Sequence, residues 1–287
     1  MRPTLRAFVL VLALAAAACA APPGLGGATA SAAPEPAGDA GTPALPAGWP
    51  AAEMLLIGEQ HDAAEHQRRA AQLVRRLAAQ GRLAAVALEM AEQNRSTAGL
   101  RRDADEAQMR AALAWDDRGW PWAAYGPIVV AAVRAGVPVI GANLPRATLS
   151  DTMADERLDA EVGDALRERL LADVRDGHCG LLPPSQLPGM TRVQIGRDRA
   201  MARTLAALAQ PGRVVMLVAG ANHVDKTRGV PQHLGALAPG LRLHALGLAA
   251  GPPAGETGGG FDETWVTPAL ERPNPCDGLA ERFAPAR

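Results

Sequence analysis

Apolar residues run unbroken through Met54-Leu-Leu-Ile57 and stop at Gly58, with Glu59 and His61 just beyond. A continuous run of this length predicts a strand buried on both faces, as in a parallel sheet. The next residues carry Leu73, Val74 and Leu77 at helical spacing. A second run, Leu83 to Met90, contains one carboxylate, Glu89, near its end. A single helix joins the two runs, which predicts a βαβ unit with parallel strands. Further strands are expected at Val137 to Gly141, Arg213 to Gly220 and Leu241 to Leu248, with a short one at Glu263 to Val266. Residues 92–136 read as helical with a break at Asp116 to Pro121. Residues 151–210 read as helical with a break at Asp176 to Pro184. The second stretch is too long for one crossover helix, so it is read as a helical insertion or subdomain. Its piece Thr191 to Leu208 carries Gln194, Arg197 and Asp198 on a polar face, for which solvent is the default. The fold class is therefore α/β, a mostly parallel sheet flanked by helices.

Polar residues recur where these runs end. Glu59 and His61 follow the first, Glu89 ends the second, Asn143 and Arg146 follow the third, and Asn222 and His223 follow the fourth. In open α/β sheets the crevice outside the carboxyl ends of the strands binds ligands. Each residue also has a plainer reading: a polar turn with Asp62 as helix cap, Glu89 as a solvated strand end, Arg146 as a surface arginine. Trp115, Trp120, Trp122 and Tyr125 crowd together in a chain otherwise poor in aromatics. A core cluster explains the tryptophans. Tyr125 is the only tyrosine, and a buried phenol needs a partner or can ligate iron.

The net charge of −1 shows no basic excess, so nothing suggests nucleic acid as a partner. The sequence lacks a phosphate loop, a dinucleotide-binding glycine motif, a serine nucleophile elbow, an H-E-x-x-H pair and a C-x-x-C-H haem-attachment motif. Arg2 and Arg6 precede the apolar run Ala7 to Ala18, too short to span a bilayer comfortably but suited to a signal peptide. Ala16 to Ala18 lead into Cys19, which resembles a lipoprotein signal ending in a lipidated cysteine. Leucine is usual three residues before that cysteine and here Leu14 lies five before, so plain signal-peptidase cleavage is the alternative. The expected organisation is a signal peptide over 1–19, an Ala/Pro/Gly tether over 20–48 without enough apolar surface to order itself, and a folded domain over 49–287. Either cleavage implies export, to a membrane-anchored state (outer membrane) or the periplasm. Without Cys19, the remaining cysteines are Cys179 and Cys276, an even pair in an oxidising compartment, and a disulfide between them is expected.

Several separated motifs, in order, resemble the ChaN-type haem-binding lipoproteins: Gly58-Glu-Gln-His61, Ala87-Leu-Glu-Met90, Trp122-x-x-Tyr125-x-Pro127, Ala142-Asn-Leu-Pro-Arg146, Gly177-His-Cys179, Gln194-x-x-Arg197-Asp198 and Gly220-Ala-Asn-His223. The resemblance extends over roughly residues 50–280. It implies a haem-binding protein of iron acquisition, able to dimerise around haem, within a wider group that includes the Tiki/TraB proteins and erythromycin esterases. On that reading Tyr125 is the candidate axial ligand, Trp120 and Trp122 wall the macrocycle, Asn143 and Arg146 meet polar groups of the ligand, and His178 and His233 compete for the iron, although His178, adjacent to the expected disulfide, is expected to be structural rather than a ligand. The wider group implies the alternative: a hydrolase using Glu59, His61, Glu89 and His223, with or without a divalent metal held by those same residues.

Overall fold

In the computed structural model, residues 49, 52–252, 260–272, 274, 276 and 277 are described. The expected signal peptide, Cys19 and the tether lie outside the described residues. Six strands form one sheet, every ladder parallel, in the order β3-β2-β4-β1-β5-β6. The strands are β1 Met54–Glu59, β2 Leu83–Glu92, β3 Val139–Asn143, β4 Val214–Gly220, β5 Leu243–Ala250 and β6 Glu263–Thr267. β4 thus inserts between β1 and β2, which are consecutive in the chain.

Between β1 and β3 come α1 Ala64–Ala79, α2 Glu106–Leu113 and α3 Trp122–Arg134. Between β3 and β5 come α4 Leu149–Ala154, α5 Gly163–Gly177, α6 Leu187–Leu208, α7 Ala221–Val224 and α8 Pro231–Leu237. The two sets cover opposite faces. Chain direction reverses at β3, and right-handed crossovers then put the later helices on the other side.

Strand periodicity divides the core accordingly. Leu55 and Ile57 of β1, with Val214, Met216 and Val218 of β4, pack under Leu73, Leu77, Ile128 and Val129 of α1 and α3. Met54 and Leu56, with Val215, Leu217 and Ala219, meet Met201, Ala202 and Leu205 of α6 and Leu234 of α8. α6 is therefore the layer on the second face. α5 sits beyond it around a small cluster of Leu158, Leu170 and Ile195.

Two expectations change. Residues 93–105 are not helical: the Thr97 amide bonds to the Val139 carbonyl and Ser96 bridges Ile140, so the chain edges β3 before Asp105 caps α2. Nor do two of the three glycines expected at strand ends end their strands, although Gly220 does end β4. Gly58 and Gly141 lie inside β1 and β3, where a Cβ would meet Val224 and the Ala221 backbone at 3.1 Å, or the Glu92 carbonyl oxygen at 2.0 Å. They are there so that neighbouring chain can approach closely.

The Cys179–Cys276 disulfide is present, with a Cα–Cα distance of 5.7 Å and 97 residues of separation. Trp49 is buried, and its indole donates to Glu263 at 3.0 Å.

Candidate functional site

At the carboxyl edge of the sheet two clefts adjoin. The larger, about 650 Å³, is lined by Glu59, Gln60 and His61 from the end of β1, by Glu89, Trp120, Gln194 and Arg197, by Gly220 to His223, by Arg228, and by the α5 stretch Leu170 to His178. The smaller, about 380 Å³, is lined by Glu89, Glu92, Arg95, Asp116, Asn143, Arg146 and others. Glu89, Trp120 and Arg197 border both.

Because side chains alternate along a strand, Glu59 shares its face with Leu55 and Ile57, toward α1 and α3. There it is buried. Tyr125 of α3 donates its hydroxyl to Glu59 Oε1 at 2.6 Å, and Gln67 of α1 donates to Oε2. His61 donates Nδ1–H to Oε1 at 2.8 Å, which turns its Nε2 away from Glu59. The side chain of His61 stays 40% exposed. Burial works to lower its pKa, but the bond to Glu59 and the charges of Glu89 and Glu59 raise it overall. Burial and the negative charge of Glu59 push the Tyr125 phenol far up, so it remains an un-ionised donor.

Glu89 leaves β2 on the opposite face, the parity of Ala87. It too is buried, and Oε2 accepts the Gly220 amide at 2.8 Å. His223 Nε2 lies 3.5 Å from its Oε1 and His61 Nε2 lies 3.9 Å from its Oε2. Burial alone would raise the Glu89 carboxyl; the two imidazoles, the Gly220 amide and Arg197 bring it below its ordinary value. On its other side, His223 donates Nδ1–H to Asp198 of α6 at 2.6 Å. Burial disfavours the imidazolium, but the Asp198 and Glu89 carboxylates outweigh it and hold its pKa up at about 9. Burial pushes the Asp198 carboxyl upward against the pull of that charge.

Thus Glu59, His61, Glu89 and His223 border one cleft, as does His178, whose ring Nδ1 bonds to the Val174 carbonyl at 2.7 Å. Asn143 and Arg146 border the smaller one: Asn143 donates to the Glu89 carbonyl at 2.9 Å and Arg146 pairs with Asp116 at 2.8 Å. Trp120, edge-on to His61 at 4.8 Å between ring centroids, is the indole of the clefts. Trp122 lies in the core instead, edge-on to Trp115 with its indole on Glu106, and borders neither cleft. His233, on α8, borders neither.

Asp198 corrects the solvated-face reading. It is 3% exposed and holds His223, while Arg197 and Gln194 line the cleft. The signal available was an acid on a helix whose neighbours Ile195, Met201 and Leu205 are apolar. Gln67 carried no signal at all. A divalent-metal site finds no ligand set: among the described residues no three His, Cys, Asp or Glu side chains are arranged to hold an ion. Glu59 and Glu89 leave the sheet on opposite faces, and Glu59 is already held by Tyr125, Gln67 and His61.

Paired imidazoles and buried carboxylates at the carboxyl edge of a parallel sheet define an α/β protein with a polar ligand crevice. The family model described as "Haem-binding uptake, Tiki superfamily, ChaN" matches residues 46–234, and the chain belongs to that family. Among solved structures it is similar to ChaN of Campylobacter jejuni, described as showing cofacial heme binding, at 22% identity over 72% of this chain and 85% of that one, with a TM-score of 0.60. A Bacillus cereus protein matches at 14% identity over 70% of this chain and 66% of that one, with a TM-score of 0.37. No curated protein matches.

Proposed function

We propose that this chain binds haem in the larger cleft as an exported, lipid-anchored protein of haem or iron acquisition. Support begins with family membership. The cleft passes three tests of fit. Its volume lies within the ordinary range for cofactor sites, about 300–1,000 Å³. Its lining combines apolar Trp120, Leu170 and Val174 with polar groups. And Arg197, which reaches it, keeps a buried Nε without a hydrogen-bond partner, a cation suited to propionates.

One observation carries the reading: His178 borders the cleft with Nδ1–H already donated to the Val174 carbonyl. In a neutral imidazole this leaves Nε2 as the free lone pair, the arrangement typical of metal-ligating histidines. Tyr125 reaches iron only by giving up its bond to Glu59 and ionising beside that carboxyl. Haem when bound supplies a ferric centre; the protein's part is to wall it, ligate it and neutralise its acids. Titration of the mature protein with haemin tests this. His178→Ala is expected to weaken binding at least tenfold and shift the visible spectrum, with Tyr125→Phe close to wild type. Absence of saturable binding by the wild type ends the haem reading, and the reverse ranking of variants returns the ligand role to Tyr125.

Anchoring rests on Arg2, Arg6, the apolar run and Cys19. An acyl chain contributes about 0.8 kcal/mol per buried CH₂, so stable attachment takes more than one chain. Cys19→Ala should release the protein to the soluble periplasmic fraction; persistent membrane partitioning sinks the lipoprotein assignment. A haem face open on one side would be covered by a second copy, so a haem-dependent homodimer belongs to the same proposal.

A second reading, a Glu/His hydrolase, has one observation in its favour. His61 is half exposed, its Nδ1 held by buried Glu59, and its Nε2 directed away from that bond: the arrangement of an oriented general base. His223, protonated at neutral pH, would stabilise negative charge there rather than accept a proton.

A further inference from the structure

Beyond the ligand groups themselves, the C-terminal segment touches the cleft's two margins at telling places. At one margin, Arg272 holds the loop after β1: its Nη2 donates to Asp62 Oδ1 at 2.7 Å and to Gln60 Oε1 at 3.2 Å, and its Nε donates to Asp62 Oδ2. Gln60 Oε1 also accepts the Ala250 amide at 3.1 Å, tying that loop to the end of β5. Asp62 is the residue after His61. At the other margin, Cys276 is joined to Cys179, the residue after His178. Cys179 sits in the left-handed region at φ 57°, where the chain turns out of α5; its amide bonds to the Asp176 carbonyl and the Gly180 amide to that of Arg175. Of the three cleft imidazoles, His61 and His178 are each followed in sequence by an anchor, one held by Arg272 and the other by Cys276.

We propose that Arg272 and Cys276 form a positioning brace. The Arg272–Asp62 pair and the Cys276–Cys179 disulfide together set the placement of His61 and His178 at the cleft, so that opening the disulfide weakens ligand binding without unfolding the domain. Arg272 and Cys276 are positioning residues and touch no ligand themselves. A disulfide ordinarily acts by restricting the unfolded chain. Here one end falls on the residue beside a candidate ligand, at the end of a helix whose last turn would otherwise fray. In redox terms, opening the Cys179–Cys276 bond takes two electrons and two protons: two added thiols supply both and leave as a disulfide, or a phosphine supplies the electrons and water the protons and the oxygen of the resulting phosphine oxide, giving two protein thiols in either case. The inference rests on haem as the cleft's ligand.

The test uses the full chain exported to an oxidising periplasm, titrated with haemin and with gallium protoporphyrin, whose metal does not change oxidation state under reductant. Oxidised wild type, Cys276→Ser, Cys179→Ser, Arg272→Ala and Arg272→Lys are compared, with circular dichroism recorded for each. The brace predicts a Kd at least tenfold higher for both cysteine variants with an altered haem spectrum. About threefold is expected for Arg272→Ala, with recovery in Arg272→Lys. Should the cysteine variants fail to fold, the wild type treated with a phosphine, then reoxidised, must lose and regain gallium protoporphyrin affinity. Kd values within twofold of wild type and unchanged spectra overturn the brace, even if stability falls. No binding by oxidised wild type overturns the haem reading itself, a distinct result.

Discussion

The two carboxylate–imidazole pairs of this site use the same chemistry in opposite surroundings. Glu59–His61 sits where the imidazole is 40% exposed, and its acid is held by a phenol and an amide. Asp198–His223 is enclosed, the imidazole 12% exposed and faced by a second carboxylate, Glu89. The difference shows how burial assigns roles. Water tempers the charges around His61, so that ring can change protonation and move toward a ligand. His223 has no such freedom, and two acids fix it as a cation that ties α6 and α7 to β2. One pair is suited to work on what enters the cleft, the other to hold the cleft's shape.

The largest effect expected follows from breaking the enclosed pair. Asp198→Ala removes the acid from a buried imidazolium, and removing one partner of such a pair costs about 3–5 kcal/mol, with deprotonation of His223 keeping the loss toward the lower end. Urea unfolding at pH 7 measures it, and a loss below 1 kcal/mol would mean that solvent reaches His223. The same pair sets an alkaline limit. Its folded pKa of about 9 lies above the ordinary histidine value near 6.5, so its stabilisation is complete below that ordinary value and is lost as pH rises toward 9. Stability of the wild type should fall across that window, and Asp198→Asn should flatten the slope. An unchanged slope would assign it to other groups.

A middling effect is expected on the open pair. Tyr125→Phe takes a charge-assisted hydrogen bond from buried Glu59, worth about 1.5–3 kcal/mol. Gln67 and His61 remain to hold the carboxyl, so denaturant titration should place the loss below that of Asp198→Ala. A larger loss would invert the comparison. The smallest effect should come from Gly220→Ala. The added Cβ would stand 2.9 Å from His61 Nε2, the far end of a partly exposed side chain that can give way. Overpacking costs of this kind start at about 1 kcal/mol. The informative readout is the His61 ring resonance by NMR, which should shift while that of His223 stays put; movement of both would show that the two pairs are one rigid unit.

Much of this was legible in the chain. All six strands stand close to where they were expected, β3 and β5 each displaced by about two residues; at the start of β3, Pro138 has no amide to donate to a ladder. Glu59, His61, Glu89 and His223 were identifiable as strand-end residues, and cysteine parity identified Cys179–Cys276. The stretch 93–105 was misread because its pairing partner is β3, far along the chain. Trp122 lies in the core, as the cluster reading had it and the haem-wall role did not; four neighbouring aromatics carry no mark of which ring faces core and which faces cleft.

What the sequence determined by itself was local: where the sheet's strands run, that they are parallel, and which of their ends carry ionisable groups. Those follow from periodicity and from the length of the connections, both short-range properties. Tertiary structure alone decided that β4 enters between β1 and β2, that Glu59 and Glu89 leave opposite faces of the sheet, and that Asp198, beside the polar residues Gln194 and Arg197 of its helix, is buried against His223. The physical reason is that burial belongs to contacts between segments distant in the chain. The charge state of an acid or an imidazole follows its burial and its partners, which residue identity leaves open.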